Sequence, residues 1–213
     1  MTITSDSENQ SEPVSNPNPE TTSTINIPNL LTLFRIALLP VMAVCFLIPA
    51  EWGRPAAGWI FLLGALTDIF DGMLARRLNQ SSDFGRFLDP VADKLQVAVA
   101  LVLLTYAHHS LFVLVPAVLI IGREITVSAL REWMAERAVN DLVAVSGWGK
   151  VKTVLQMWAL TMMIYQENLF GILPTYDIGL ILLQGALLLT LWSLWGYLRG
   201  AWPHLRGGAA GGA

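Results

Sequence analysis

Residues 67–94 read T-D-I-F-D-G-M-L-A-R-R-L-N-Q-S-S-D-F-G-R-F-L-D-P-V-A-D-K. They hold the pattern Asp68-x-x-Asp71-Gly72-x-x-Ala75-Arg76, then eight residues, then Gly85-x-x-x-Asp89-x-x-x-Asp93. The surrounding chain is strongly apolar, so four carboxylates fall inside segments that read as membrane helices. Residues three and four apart share a helix face. Asp68, Asp71, Gly72 and Ala75 therefore line one stripe of one helix. Asp89 and Asp93 line a stripe of the next, with Gly85 one turn earlier. Two antiparallel helices would bring the stripes together as a four-carboxylate cluster bordered by small residues.

An ionised Asp in the middle of a membrane helix costs about 2.5–3.5 kcal/mol on insertion scales. Four unpaired ones would cost on the order of 10 kcal/mol. Divalent cations are the natural compensation. A site of carboxylates without Cys or His suits Mg²⁺ or Mn²⁺, which are hard and take oxygen ligands. Four Asp can share two ions, and paired ions suit in-line displacement at phosphorus. Gly72 and Ala75 leave room for a nucleotide, and Arg76 and Arg77 offer phosphate partners.

Composition agrees with a membrane setting. The chain has 213 residues, 54% hydrophobic and 14% charged, and a mean hydropathy of +0.54, which is not the balance of a soluble domain. The net charge of −3 carries little information, because the acids crowd into the first residues and the Asp cluster. The single Cys45 excludes an intramolecular disulfide. The three His residues show no metal-ligand spacing.

Residues 1–25 are rich in Ser, Thr, Asn, Pro and Glu and are expected to be a disordered cytoplasmic arm. They lack the basic and apolar regions of a cleaved signal peptide. The membrane domain is expected over residues 26–200, followed by a flexible Gly/Ala tail at 201–213. The expected fold is all-α with six transmembrane helices, near residues 30–48, 56–78, 89–107, 111–133, 147–166 and 176–198. A short N-terminal amphipathic helix is expected before the first span. Pro28 suits a first helical turn, and Asn26 or Asn29 could cap it. Arg35, one or two turns into that helix, should snorkel or face a polar cavity.

With the N terminus in the cytoplasm, all of the 13 Lys and Arg residues except Arg54 fall at inward helix ends or loops. The positive-inside rule therefore puts both carboxylate stripes on the cytoplasmic side. A second polar cluster lies in the fourth and fifth helices. Arg123 and Arg131 are eight residues apart, so they project about 80° apart on one side of the helix. Glu124 is placed to pair with a base, or with Arg131 of a neighbouring chain. Arg123, Arg131, Lys150 and Lys152 could build an anion pocket, and the phosphate of an incoming alcohol phosphate is the best candidate for it. Trp192, Trp195, Tyr197 and Trp202 read as an aromatic belt.

The carboxylate pattern matches D-x-x-D-G-x-x-A-R-(x8)-G-x-x-x-D-x-x-x-D at every position. The chain thereby resembles the CDP-alcohol phosphatidyltransferases, integral membrane enzymes that displace CMP from a CDP-linked lipid with an alcohol and divalent metal. The resemblance runs from residue 26 to residue 197. It implies that Asp68, Asp71, Asp89 and Asp93 hold the metal and that Asp93 takes the proton of the acceptor hydroxyl. It implies that Gly72, Ala75, Arg76, Ser82 and Gly85 surround the CDP-lipid, with Asn29 and Thr32 near it. The runs N-I-P-N-L-L-T-L-F-R, G-R-E-I-T-V-S-A-L-R-E-W-M-A and W-G-K-V-K-T-V-L-Q-M are similar to those of bacterial phosphatidylglycerophosphate synthases. That likeness implies CDP-diacylglycerol as donor, sn-glycerol 3-phosphate as acceptor, the inner (cytoplasmic) membrane as location and a homodimer, for which Gly58 and Gly64 offer a small-residue face. The alternatives are another acceptor, inositol 1-phosphate or phosphatidylglycerol, or a divalent-cation channel or transporter. The chain lacks the evident inverted repeats of a transporter, and Gly-x-x-Ala-Arg has no purpose in an ion pathway.

Overall fold

The computed structural model describes residues 27–78, 83–136, 147–168 and 172–207. These form six α-helices: α1 (Ile27–Leu47), α2 (Gly53–Leu78), α3 (Asp83–His108), α4 (Leu111–Glu136), α5 (Gly147–Tyr165) and α6 (Thr175–Gly207). The six expected helices are all present. α3 begins six residues earlier than the sequence suggested, so Asp89 and Asp93 lie inside a helix and not at its start. The arm at 1–25 and the residues beyond 207 fall outside the described residues, and α6 carries residues 201–207 of the expected tail in helix. From Ile27 onward α1 is one continuous helix, and what precedes it lies outside the described residues too.

Local chemistry explains the turns. His109 takes a left-handed conformation (φ 46°) that ends α3. Ser110 then caps α4, its Oγ accepting from the Phe112 N–H at 3.3 Å. Gln166 (φ 60°) ends α5 in the same way. Thr175 opens α6 with its hydroxyl donating to the Glu167 carbonyl at 2.7 Å.

The helices close into a ring. α1 packs on α2, α2 on α5, α5 on α6, α6 on α4, α4 on α3, and α3 back on α1, with α3 also reaching α5 across the middle. Met42, Phe46, Phe61, Leu101, Leu104, Ile120, Leu160, Met163 and Leu183 form a core to which every helix contributes. This apolar core lies towards one end of the bundle. Buried polar side chains gather towards the other, among them Thr32, Arg35, Arg123 and Lys152. The outer surface is apolar, with Phe112, Ile181, Leu188 and Trp192 strongly exposed. Polar groups inside and apolar groups outside are the pattern of a membrane protein. Among the described residues, three helices are long and apolar enough to cross a membrane, over Asn29–Leu47, Leu111–Met134 and Thr175–Gly200.

Two glycines are used differently from the expectation. A Cβ on Gly58 would lie 2.9 Å from Tyr165 Cβ and 3.0 Å from its Cα. A Cβ on Gly64 would lie 2.9 Å from Gln96 Nε2. Both therefore serve close packing within the chain, of α2 on α5 and of α2 on α3, and they do not form a free face for a second copy.

Candidate functional site

The acidic residues sit where three helices meet, not two. α1 runs parallel to α3 and packs along both α3 and α2, whereas α2 and α3 meet over a shorter stretch. Thr32 and Arg35, one turn apart on α1, face Asp89 and Asp93, one turn apart on α3. The Thr32 hydroxyl donates to Asp89 Oδ1 at 2.7 Å. Arg35 Nη1 donates to Asp93 Oδ1 at 2.5 Å and lies 2.9 Å from Asp68 Oδ1 on α2. Arg35 is 1% exposed, whereas the Asp68 and Asp93 side chains are 42% and 45% exposed. The guanidinium thus forms the floor of the site and the carboxylates its open face. One turn deeper, buried Gln96 donates from Nε2 to the Phe61 carbonyl at 2.9 Å, in the space that Gly64 leaves.

The helix-cap reading of Asn29 does not hold. α1 starts at Ile27, so both Asn29 and Thr32 are interior to the helix and buried. Arg35 does not snorkel, because two carboxylates satisfy it inside the bundle. Gly85 is buried on α3 one turn before Asp89, as the spacing required. Asp71, Gly72, Ala75 and Arg76 fall on α2, but their side chains lie outside the described residues. Ser82 lies outside them altogether.

The donor set fits a hard divalent cation, since every candidate ligand is a carboxylate oxygen. Asp68 and Asp93 already converge on one positive centre, the Arg35 Nη1. Among the described residues no three His, Cys, Asp or Glu side chains are clustered tightly enough to hold an ion by themselves. Asp89 is one turn from the converging pair and engaged by Thr32.

The basic residues form a second cluster on α4, α5 and α6, at the same end of the bundle. Lys152 Nζ donates to Glu124 Oε1 at 2.6 Å, and Arg123 Nη1 donates to the same oxygen at 2.9 Å. Arg123 Nη2 donates to Ser193 Oγ at 3.0 Å. Arg131 Nη2 donates to the Tyr197 hydroxyl at 2.6 Å, and its guanidinium lies 5.2 Å from the centre of that ring. Arg123 lies 5.8 Å from the same ring centre. Glu124 therefore pairs within its own chain, and it partly neutralises the expected anion pocket. Arg131 is exposed, while Arg123 and Lys152 are buried. The Lys150 side chain lies outside the described residues.

Sequence reasoning passed over Ser193 and treated Tyr197 as part of the aromatic belt. Trp192, Trp195 and Trp202 do face outward, but Tyr197 is turned towards the arginines. The four-residue step from Ser193 to Tyr197, parallel to the eight-residue step from Arg123 to Arg131, was the available signal.

The chain matches the family model described as CDP-alcohol phosphatidyltransferase over residues 25–192. It is similar to proteins named CDP-diacylglycerol–glycerol-3-phosphate 3-phosphatidyltransferase. It is 51% identical to those of Escherichia coli (strain K12) and Shigella flexneri serotype 5b (strain 8401), over 83% of this chain and 94% of each relative. It is 49% identical to that of Pseudomonas fluorescens, over 85% of this chain and 93% of the relative.

Proposed function

The chain belongs to the CDP-alcohol phosphatidyltransferase family, and we infer that it transfers the phosphatidyl group of CDP-diacylglycerol to sn-glycerol 3-phosphate. The products are phosphatidylglycerophosphate and CMP, which places the reaction in phospholipid biosynthesis. Half-identity to synthases of that name over nearly their whole length supports the donor and the acceptor. The observation that carries the reading in the molecule itself is the pairing of an acidic and a basic cluster at one end of one bundle. Such a site can take a cation and a phosphorylated alcohol side by side.

Asp68, Asp71, Asp89 and Asp93 are the residues that would hold divalent metal, two Mg²⁺ or Mn²⁺ ions in this proposal. When bound, the metal neutralises charge on the donor's pyrophosphate and on departing CMP. Thr32 and Arg35 orient the α3 carboxylates from below. Gly72, Ala75 and Gly85 leave space for the cytidine nucleotide, with Arg76 and Ser82 as its phosphate partners and Asn29 at its edge. Arg131 receives the acceptor's phosphate, with Arg123, Lys150 and Lys152 behind it, and this aims the acceptor hydroxyl at the phosphatidyl phosphorus. Asp93 takes the hydroxyl proton as the new P–O bond forms and the bond to CMP breaks. An Asp is a weak base, with a reference pKa of about 3.9. Its orientation of the hydroxyl contributes most, because holding the reactants together removes much of the entropic barrier.

All six helices span the membrane in this reading. α2 and α3, of 26 residues each, reach about 39 Å, and α5, of 19, reaches about 28 Å, against a hydrocarbon core of about 30 Å. Both clusters and both termini face the cytoplasm of the inner membrane, the side that carries nearly all the Lys and Arg. The homodimer implied by the resemblance would use a face other than Gly58 and Gly64.

The test is CMP release from CDP-diacylglycerol by purified protein with Mg²⁺, run in parallel with glycerol 3-phosphate, inositol 1-phosphate, phosphatidylglycerol and no acceptor. Release with glycerol 3-phosphate alone is expected. Release with another acceptor would keep the chemistry and refute the acceptor.

A further inference from the structure

Arg35 is the one charged side chain of α1, and it is buried at the point where α1, α2 and α3 meet. Keeping a guanidinium there requires partners, because an unpaired buried charge is costly. It has them in Asp68 and Asp93, and a single nitrogen, Nη1, reaches one oxygen of each. The two carboxylates come from different helices that touch each other over a short stretch. Moving either away would leave the buried cation with less compensation. Thr32 makes the equivalent contact with Asp89 one turn away, so α1 grips both acids of α3. Charged hydrogen bonds of this kind are about twice as strong as neutral ones, and the grip is correspondingly firm.

We propose that Arg35 is a positioning residue of the acidic site that also acts as its built-in positive charge. It holds the Asp68 and Asp93 carboxylates at a set spacing, and it weakens the site's hold on divalent cations until a diphosphate arrives. This rests on the reading of the Asp cluster as a metal site. The guanidinium occupies the Oδ1 atoms that would also ligate an ion, and like charges a few ångströms apart repel. The cations therefore bind weakly to the protein alone. They bind more tightly together with the pyrophosphate of the donor, whose negative charge offsets that of Arg35. By linkage, the nucleotide diphosphate strengthens cation binding by the same factor as the cation strengthens the nucleotide.

The experiment measures Mn²⁺ binding to the purified full chain by electron paramagnetic resonance, with and without CDP, for the wild type, Arg35→Gln and Arg35→Lys, alongside kcat for CMP release. In the wild type CDP should tighten Mn²⁺ binding. In Arg35→Gln the affinity without CDP should rise about tenfold, because one opposing charge is gone. The gain from CDP should shrink, and kcat should fall about a hundredfold as the carboxylates lose their spacing. Arg35→Lys keeps the charge but lacks the planar fork. Its Mn²⁺ affinity should stay within about threefold of wild type while kcat drops about tenfold. Unchanged or weaker Mn²⁺ binding in folded Arg35→Gln would overturn the proposal, since a residue that only packs helices would lower metal affinity and stability together. Should Arg35→Gln fail to fold, Arg35→Lys decides, and wild-type kcat in that variant overturns the positioning role. Wild-type protein that binds no Mn²⁺, with or without CDP, would sink the metal-site reading and this proposal with it. Binding that ignores the Arg35 substitutions would sink the proposal alone.

Discussion

Helices α1, α2 and α3 enclose an acidic corner, α4, α5 and α6 a basic one, and each corner is built around a residue of the opposite sign. Their exposure is reversed. In the acidic corner the counter-charge, Arg35, is buried and the carboxylates are open. In the basic corner Arg123 and Lys152 are buried, while the counter-charge, Glu124, is a quarter exposed. The acidic corner thus presents its charge outward. The basic corner ties Arg123 and Lys152 to Glu124 and leaves Arg131 exposed. A burial cost is met in both cases by a partner within the chain, and what differs is how much charge remains for a ligand.

The strongest test of this contrast is Asp93→Asn. It should lower CMP release about a thousandfold at saturating Mg²⁺ and leave the helical content measured by circular dichroism unchanged. Near-normal turnover would break the assignment of chemistry to the acidic corner. Next in size is Glu124→Gln, which leaves Arg123 and Lys152 without their shared anion. We expect a loss of about 2–3 kcal/mol in unfolding free energy, at or just under the low end for a broken buried pair because Glu124 is partly solvated. A change under about 0.5 kcal/mol, the range of ordinary surface substitutions, would mean that the basic corner does not depend on its counter-charge.

Arg131→Ala sharpens the comparison from the ligand's side. It should raise the KM for glycerol 3-phosphate about tenfold, the value of one charged hydrogen bond, with the KM for CDP-diacylglycerol unchanged. A shift in the CDP-diacylglycerol KM instead would erase the division of labour between corners. The smallest effects concern packing. Gly64→Ala pushes a methyl to 2.9 Å from the Gln96 amide beneath the acidic corner, and should cost about 1 kcal/mol because that side chain can shift. Gly122→Ala, next to Arg123 and with nothing within 4 Å, should change thermal unfolding by less than about 0.5 kcal/mol. Equal costs at the two positions would contradict the tighter packing under the acidic corner.

Much of this was legible from local spacing. Asp89 and Asp93 are four residues apart on one helix, and a helix places such residues on one side whatever surrounds it. The long apolar stretches likewise required helices. Tyr197 was not legible. Beside Trp192, Trp195 and Trp202 it reads as one more interfacial aromatic, and only the packing of α6 against α4 turns its hydroxyl to Arg131. Gly58 and Gly64 are a similar case, because a small-residue face suits a neighbour in the same chain as well as one in another.

Six helices, the carboxylate spacing and the gathering of basic residues towards one end can all be read along the chain. Each follows from periodicity, hydropathy or charge along a single segment. Which opposite charge stands in each corner came from helix packing alone. Arg35 could have snorkelled and Glu124 could have paired elsewhere. The choice depended on the closed ring, which sets α1 against both α2 and α3 and α6 against both α4 and α5. Helix periodicity sets which side chains share a face, but the partner that face meets depends on contacts between residues far apart in the chain, such as Arg35 with Asp93 and Arg131 with Tyr197.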